Sequence, residues 1–286
     1  MPELPDLLYI RSHLEGVLKA RCVVSCEVRR TVVVRNTLDR PFREAVAGVR
    51  FTGVRVRGPF LVLASAGKAE IVLHLMLAGT LHHITPGARL PGHLAVALEL
   101  DDSCRLCLCD EQAMAKLYLV PPGRYATIPR FLGQGIDILA AQFTPDAFLK
   151  LLRHNTRKQV RSFLTDQTAL SAIGNAYADE ILFHARIHPK TFVARLSEAD
   201  GVRLHASIGT VMEEGIRTVR DAGQPIHVKV RGHMRVRNRK GEACPRCGTK
   251  IRREGVRGYD VFFCPACQPP TRDLFLDWSR VRRPEG

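Results

Sequence analysis

Alternating apolar and polar positions dominate the chain from residue 1 to about residue 135. Five stretches rich in β-branched residues, separated by turn-like clusters such as ASAGKAE and PGARLPG, predict strands there. The stretches read VLKARCVVSCEVRRTVVVRN, VRFTGVRVRGPFLVLAS, AEIVLHLMLAGTLHHI, HLAVALELDDSCRLCLCD and AKLYLV. A helix is predicted over about residues 5 to 18, before the first stretch. Regularly spaced strands with few helices predict a β-sandwich or barrel.

Helical spacing replaces this alternation after Gly133. In FTPDAFLKLLRHN, the residues Thr144, Pro145 and Asp146 form a helix start signal, and apolar residues follow at helical intervals. TRKQVRSFLTDQ, NAYADEILFHARI and SEADGVRLHASIGTVMEEGIRTVRDAG continue as helices, and from about residue 229 the chain is basic and short-stranded. The pattern predicts an α+β protein in three parts: a β domain over 1–135, a helical domain over 136–228, and a hairpin with a tail over 229–286.

The composition is that of a soluble globular protein, since 45% of the 286 residues are hydrophobic and 25% are charged. This balance excludes a wholly disordered chain, a collagen and a small disulfide-dependent scaffold. No stretch approaches the roughly 18 consecutive apolar residues that span a bilayer. The opening residues, MPELPDLLYIRSHLEG, lack the basic and apolar regions of a secretory signal. We therefore expect no membrane association and a cytoplasmic location.

Positive charge gives the first indication of function. Lys and Arg number 43 against 28 Asp and Glu, a formal net charge of +15. Eleven of these cations fall within residues 229–257, beside only Glu242 and Glu254. A uniformly charged surface kept for solubility is the alternative, but the uneven distribution favours a polyanionic partner, with nucleic acid as the first expectation.

Four of the nine cysteines form a C-x2-C-x16-C-x2-C pattern, which is the spacing of a zinc ribbon. Four thiolates complete a tetrahedron, so the predicted zinc is structural and holds a hairpin too small to fold alone. Four unrelated buried cysteines are the alternative, and this spacing disfavours it. The predicted ligands are Cys244, Cys247, Cys264 and Cys267; packing is expected for Cys22, Cys26, Cys104, Cys107 and Cys109.

The first three residues offer a nucleophile. Pro2 is small enough to favour removal of Met1, which would leave a proline with a secondary α-amine. Such α-amino groups titrate at about 7.7–8.0, far below lysine, so a large share is neutral near pH 7 and can attack a carbon that forms an iminium. Glu3 would supply a proton or polarise a sugar. Many proteins begin Met-Pro, so these residues alone do not establish this chemistry.

Three motifs in this order resemble the Fpg/Nei family of DNA glycosylases. They are MPELPD at the start, IGNAYADEILFHARIHP in the helical part, and the zinc ribbon at the end, so the resemblance covers nearly the whole chain. The resemblance implies an N-terminal β-sandwich flanked by helices. It also implies a C-terminal domain with a helix-two-turn-helix motif and a zinc finger.

The resemblance also implies roles for individual residues. Pro2 would attack C1′ of a damaged nucleotide, displace the base and form a Schiff base, and Glu3 matches the assisting acid. Asn175, in the turn Ile173-Gly174-Asn175, matches a phosphate-binding position. Arg157 falls where the family has a phosphate-binding lysine, and His93 matches a DNA-contacting histidine; both could instead be solvated surface residues.

Several positions depart from the family pattern. Pro59 stands where the family has a lysine important to catalysis, and proline has no side-chain proton to give. The side chains that fill the gap left by a flipped nucleotide are also changed. Leu77 replaces a methionine, while Gln112 and Met114 replace an arginine and a phenylalanine.

The zinc hairpin departs as well, because Tyr259 occupies the position of an arginine tied to phosphate contact. Arg257 lies two residues away, and the alternation of side chains along a strand would project it to the same face. The stretch DAGQPIHVKVRGHMRVRNRKGEAC, before the finger, looks shorter than in members with a long lesion-capping loop.

Two functions of different classes remain at this point. The favoured one is a monomeric DNA repair glycosylase that excises a damaged base, with a weakened AP-lyase activity, from double-stranded DNA that carries a lesion or is partly open. The alternative is a damage-binding or abasic-site-binding protein with little turnover, which would explain the lost lysine and arginine. A zinc-ribbon transcription factor ranks last, because it leaves the N-terminus unexplained.

Overall fold

A computed structural model describes residues 1–67, 69–256 and 259–270. The chain forms two compact units, and each consists of three segments. The first unit comprises Met1–Asp137, Gln167–Gly174 and Met212–His233; the second comprises Ile138–Asp166, Asn175–Val211 and the chain from Met234 onward. The three contiguous ranges 1–135, 136–228 and 229–286 stay a prediction about domain boundaries.

The first unit is a two-sheet sandwich with helices beside it, as the alternation predicts. Its helices are α1 (Leu4–Leu18) and α2 (Phe42–Val46). Its strands are β1 (Val23–Val28), β2 (Val34–Asn36), β3 (Phe51–Arg57), β4 (Phe60–Ser65), β5 (Glu70–His74), β6 (Thr80–Ile84), β7 (Leu94–Leu100), β8 (Arg105–Cys109) and β9 (Lys116–Val120). One sheet has the order β1-β7-β8-β6 and the other β2-β9-β5-β4-β3. Only the β2–β9 pair within these sheets is parallel.

The alternating residues of both sheets meet in one apolar core. Leu61 and Leu63 of β4 and Leu106 and Leu108 of β8 are buried in the same cluster, because alternate side chains of a strand point to one face. Leu14 of α1 is fully buried in that cluster, so the first helix covers the sandwich and is fixed against it. The α+β class with an N-terminal β-sandwich is confirmed.

The second unit contains the predicted helices and the hairpin. Its helices are α3 (Pro145–His154), α4 (Val160–Leu164), α5 (Asn175–Ala185) and the first part of α6 (Glu198–Asp221), whose residues from Met212 onward belong to the first unit. The Thr144 hydroxyl accepts a hydrogen bond from the Ala147 N–H at 3.2 Å, so the predicted start signal caps α3.

Two short strand pairs complete the fold. β10 (Ile136–Asp137) and β11 (Leu170–Ser171) pair in parallel within the first unit. β12 (Arg252–Val256) and β13 (Tyr259–Phe263) form the antiparallel hairpin predicted between the two cysteine pairs. Within the described ranges, no helix has both the length and the apolar character needed to cross a bilayer.

Candidate active site

The N-terminal amine is held at the loop between β5 and β6. The Met1 α-amine donates a hydrogen bond to the Leu77 carbonyl at 3.1 Å, and Pro2 behind it is buried. Burial, followed by the positive charge of Lys229, lowers the pKa of this amine to about 6, although Glu3 acts in the opposite direction. An α-amine in these surroundings is therefore mostly neutral at pH 7, which is the form that attacks carbon.

Glu3 is fixed at the first turn of α1. It is the N-cap residue and forms a reciprocal capping box with Asp6, in which the Glu3 N–H donates to the Asp6 carboxylate at 2.9 Å. The Gly174 N–H donates to the Glu3 carboxylate at 3.1 Å. The Glu3 carboxylate is buried and accepts hydrogen bonds from two backbone N–H groups, those of Asp6 and Gly174. It is therefore held rigidly, two residues from the N-terminal amine.

A guanidinium neutralises Asp6 behind this turn. Arg231 donates two hydrogen bonds to the Asp6 carboxylate, at 2.8 and 2.6 Å, in the bidentate arrangement that makes such pairs strong. The chain segment that carries Lys229 and Arg231 thus lies against the start of α1. Sequence reasoning counted both residues only as part of the basic tail and did not place them at the N-terminus.

Three loops meet at the end of the sandwich where the N-terminal amine lies. Cys109, the last residue of β8, stands opposite Thr80, the first of β6, and opposite Leu94, the first of β7. The loops that enter β6 and β7 and the loop that leaves β8 are therefore neighbours. The predicted residues on these loops are Leu77, His93, Gln112 and Met114.

These loops present the predicted side chains to differing degrees. Leu77 is 54% exposed, which suits an apolar wedge, and His93 and Gln112 are exposed as well. Met114 is half-buried. The buried Asp110 carboxylate orders the last loop, because it accepts hydrogen bonds from the backbone N–H of Gln112 at 2.9 Å and of residue 115 at 2.6 Å.

Pro59 is buried in the β3–β4 turn and offers no proton donor. The neighbouring arginines do not replace the missing lysine, because both are engaged elsewhere. The Arg57 guanidinium donates to the Phe131 carbonyl at 2.9 Å, and Arg55 donates to the Tyr125 hydroxyl at 2.9 Å and contacts the Glu70 carboxylate at 3.3 Å.

In the second unit, a buried charge cluster orients Asn175 at the start of α5. The Arg161 side chain donates to the Asn175 carbonyl oxygen at 3.1 Å and to the Asp179 carboxylate at 2.8 Å. Arg237 donates to the other Asp179 oxygen at 2.8 Å. Both arginines also donate to the Asp260 carbonyl on β13, at 3.1 and 2.9 Å, so α4, α5 and the hairpin share one network.

The remaining predicted contacts of this unit are less constrained. Arg157 is exposed in the turn between α3 and α4. Arg257 lies outside the described residues. The sequence analysis did not identify Arg161, Arg237 and Asp179. The spacing of Asp179, one helical turn after Asn175 and on the same face of α5, could have indicated that Asp179 belongs to the site.

The four predicted zinc ligands come together at the base of the hairpin. Their Sγ atoms all lie within 4.8 Å of one another, with Cys247–Cys264 at 3.5 Å and Cys244–Cys267 at 3.9 Å. A zinc–sulfur bond of about 2.3 Å implies about 3.8 Å between sulfurs of a tetrahedral site. The backbone N–H groups of Arg246 and Cys267 donate hydrogen bonds to the Cys244 and Cys264 sulfurs and hold them in place. These residues fit one structural zinc ion.

Comparisons with known proteins agree with this arrangement along the chain. Residues 1–117 match the family model of the formamidopyrimidine-DNA glycosylase N-terminal domain, and residues 134–224 match that of its H2TH domain. Residues 241–270 match the zinc finger found in FPG and IleRS.

Curated relatives and solved structures cover nearly the whole chain. The formamidopyrimidine-DNA glycosylase of Pelotomaculum thermopropionicum is 31% identical over 94% of this chain and 99% of its own length; that of Nocardioides sp. is 32% identical over 100% of both. A Lactococcus lactis FPG mutant in complex with Fapy-dG-containing DNA superimposes with a TM-score of 0.85 at 25% identity, covering 94% of this chain and 100% of that one. The crystal structure of MutM (FPG) from Thermus thermophilus superimposes with a TM-score of 0.82 at 29% identity, covering 93% of this chain and 98% of that one.

Proposed function

The chain belongs to the formamidopyrimidine-DNA glycosylase family, whose members are DNA repair glycosylases with AP-lyase activity, and we propose that its nucleophile is the α-amine of Pro2. The observation that carries this proposal is the Met1 amine, which has a lowered pKa and lies one residue from Pro2 and two from a fixed Glu3 carboxylate. Removal of Met1 would transfer the chain terminus to Pro2 within the same surroundings.

The reaction proceeds through a covalent intermediate. The neutral Pro2 nitrogen forms a bond to C1′ of the damaged nucleotide while the bond between C1′ and the base nitrogen breaks, and the departing base takes a proton from water. The Glu3 carboxylate accepts the proton that the Pro2 nitrogen loses and gives it to the sugar ring oxygen as the ring opens, while the nitrogen lone pair completes an iminium at C1′. Loss of a C2′ proton to water then expels the 3′-phosphate by β-elimination, and water hydrolyses the iminium to release Pro2.

The DNA contacts that we propose come from seven residues. Asn175, Arg157 and Arg257 serve as phosphate contacts and His93 as a further DNA contact, while Leu77, Gln112 and Met114 occupy the place of the flipped nucleotide. The orientation of Asn175 by Arg161 supports its role, and the exposure of Leu77 supports its role as a wedge. We propose that the protein acts as a monomer in the cytoplasm, associated with the nucleoid.

The zinc ion is structural and takes no part in the reaction. Four cysteine thiolates saturate its coordination, so no position is open for water or substrate. Its contribution is to close the base of the β12–β13 hairpin, which places the Asp260 carbonyl against Arg161 and Arg237. The finger thereby supports the same network that orients Asn175.

Turnover distinguishes the proposed glycosylase from a damage-binding protein of the same fold. The presence of Pro59 in place of the family lysine would favour the damage-binding protein. Duplexes that each carry one oxidised purine, one ring-opened purine, one oxidised pyrimidine or one abasic site are incubated with substoichiometric protein. The proposal expects several base excisions or strand cleavages per protein molecule on at least one duplex. Tight binding to these duplexes with less than one event per protein molecule would instead support the binding function.

A further inference from the structure

Lys229 lies at the same backbone carbonyl as the N-terminal amine. Its Nζ donates to the Leu77 carbonyl at 3.5 Å, and the Met1 amine donates to that oxygen at 3.1 Å. The two residues are 228 positions apart in the sequence, yet both lie in the first unit. A cationic side chain therefore stands beside the chain terminus, which passes to Pro2 when Met1 is removed.

The segment that carries Lys229 is anchored on both sides of it. Before it, Ile226 is buried in the sandwich core, and the His227 ring stacks on the His82 ring with centroids 4.1 Å apart. After it, Arg231 makes the bidentate pair with Asp6 at the first turn of α1. These contacts fix the backbone within three residues on either side of Lys229, so the Lys229 ammonium is directed to the N-terminus.

We propose that Lys229 is a positioning residue for the nucleophile, whose ammonium keeps the neighbouring α-amine in its neutral, attacking form. This inference rests on the proposed function. Arg55 and Arg57, which precede Pro59 on β3, are bound to other groups, and Arg231 is neutralised by Asp6.

The α-amine and the Lys229 side chain share one carbonyl oxygen. Two positive charges so close repel each other, and the group with the lower intrinsic pKa loses its proton first. Lysine side chains have an intrinsic pKa of about 10.4 and α-amines one of about 7.7–8.0, so of two such groups the α-amine is the one that loses its proton. Burial and then Lys229 are the two largest causes of the lowered pKa of the amine.

Three other ionisable groups act on the amine or lie within reach of its charge: Glu3, Arg231 and His74. The Glu3 carboxylate raises the pKa of the amine, and Arg231 lowers it less than Lys229 does. His74 on β5 also senses the N-terminal charge, but burial holds the pKa of His74 at about 4, so it stays neutral over the range in which the amine titrates. Lys229 is thus the largest of the charge effects that favour the neutral amine.

The test is the pH dependence of adduct formation with DNA that contains one abasic site, trapped by borohydride. Lys229→Gln and Lys229→Met are compared with the native chain and with Lys229→Arg, which keeps the charge. The matched control is Lys19→Gln, which removes the same charge from an exposed lysine at the far end of α1, about 22 Å along the helix axis.

We expect the midpoint of the rate profile to rise by about half a pH unit or more in Lys229→Gln and Lys229→Met. It should stay near the native value in Lys229→Arg and Lys19→Gln. A native midpoint retained in both neutral variants overturns the inference, because a merely structural role for Lys229 leaves the titration of the amine unchanged.

A second measurement separates this inference from the proposed function. The pKa of the N-terminal amine is read without DNA, from the ¹³C shift of the N-terminal residue in labelled native and Lys229→Gln protein. A higher pKa in the variant supports the inference, and equal values overturn it. Absence of any trapped adduct from the native chain at every pH would instead reject the proposed function.

Discussion

The backbone of Gly174 and the carboxylate of Glu3 are in direct contact, with the Gly174 N–H donating to Glu3 at 3.1 Å. A Cβ placed on Gly174 would lie 2.4 Å from the Glu3 Cδ and 2.7 Å from its Oε1. Only glycine therefore allows the backbone to approach the proposed acid so closely. The contact joins two residues 171 positions apart within the first unit.

Gly174→Ala should displace the Glu3 carboxylate and lower the rate of adduct formation by about 100-fold or more, since misplacement of a reacting group by about 1 Å costs this much. The rate of borohydride trapping on abasic DNA is the measurement. Gly16→Ala is the control, because a Cβ there meets nothing within 4 Å and an alanine in a helix stabilises it by roughly 0.5–1 kcal/mol. An unchanged rate in Gly174→Ala would show that Glu3 does not need this contact.

The rate of adduct formation by the native chain should rise through about pH 6 and level off above pH 7. The reason is that the surroundings of the chain terminus lower the pKa of the Met1 amine to about 6, and we expect the same surroundings to act on the Pro2 amine. The amine is protonated and unreactive below this pH and neutral above it. A midpoint near pH 8, the value of an unperturbed α-amine, would contradict this expectation.

Asp179→Ala should destabilise the second unit by about 3–5 kcal/mol, because it leaves the buried Arg161 and the nearby Arg237 without their common partner. Urea unfolding followed by fluorescence or circular dichroism gives the free energy. The control is Asp221→Ala at the exposed end of α6, where the ion pair with Arg220 contributes only about 0–1 kcal/mol. Equal stability of the two variants would contradict the account of the cluster.

Zinc removal should unfold the finger and weaken DNA binding without touching the reacting groups. We expect one zinc ion per native chain by elemental analysis, and none in Cys264→Ser, because three thiolates no longer close the tetrahedron. Cys104→Ser is the control, since Cys104 packs against the sandwich core and should leave the zinc content unchanged. Zinc retained in Cys264→Ser at the native stoichiometry would place the ion elsewhere.

Local patterns in the sequence predicted the elements of the fold. The alternation over 1–135 gave the strands of the sandwich, the Thr144 signal gave the start of α3, and the cysteine spacing gave the zinc cage. These features depend on neighbours within a few residues or on a fixed ligand spacing, so periodicity and spacing suffice to find them.

The contacts that build the site were not predictable in the same way. Gly174 beside Glu3, Lys229 beside the N-terminal amine, and Arg231 on Asp6 each join residues more than 170 positions apart. Such pairs follow from how the segments pack, and hydrophobic periodicity contains no information about them. The discontinuous units have the same cause, since the chain leaves the sandwich and returns to it twice.

Attack of the N-terminal amine of Pro2 on C1′, assisted by Glu3, leaves a covalent intermediate that borohydride can trap. The measurement uses DNA with one abasic site and compares the native chain with Pro2→Gly and Glu3→Gln on a denaturing gel. We expect a covalent adduct from the native chain that is lost or much reduced in both variants. Tight DNA binding by the native chain without any adduct would rule out this chemistry and favour the damage-binding protein.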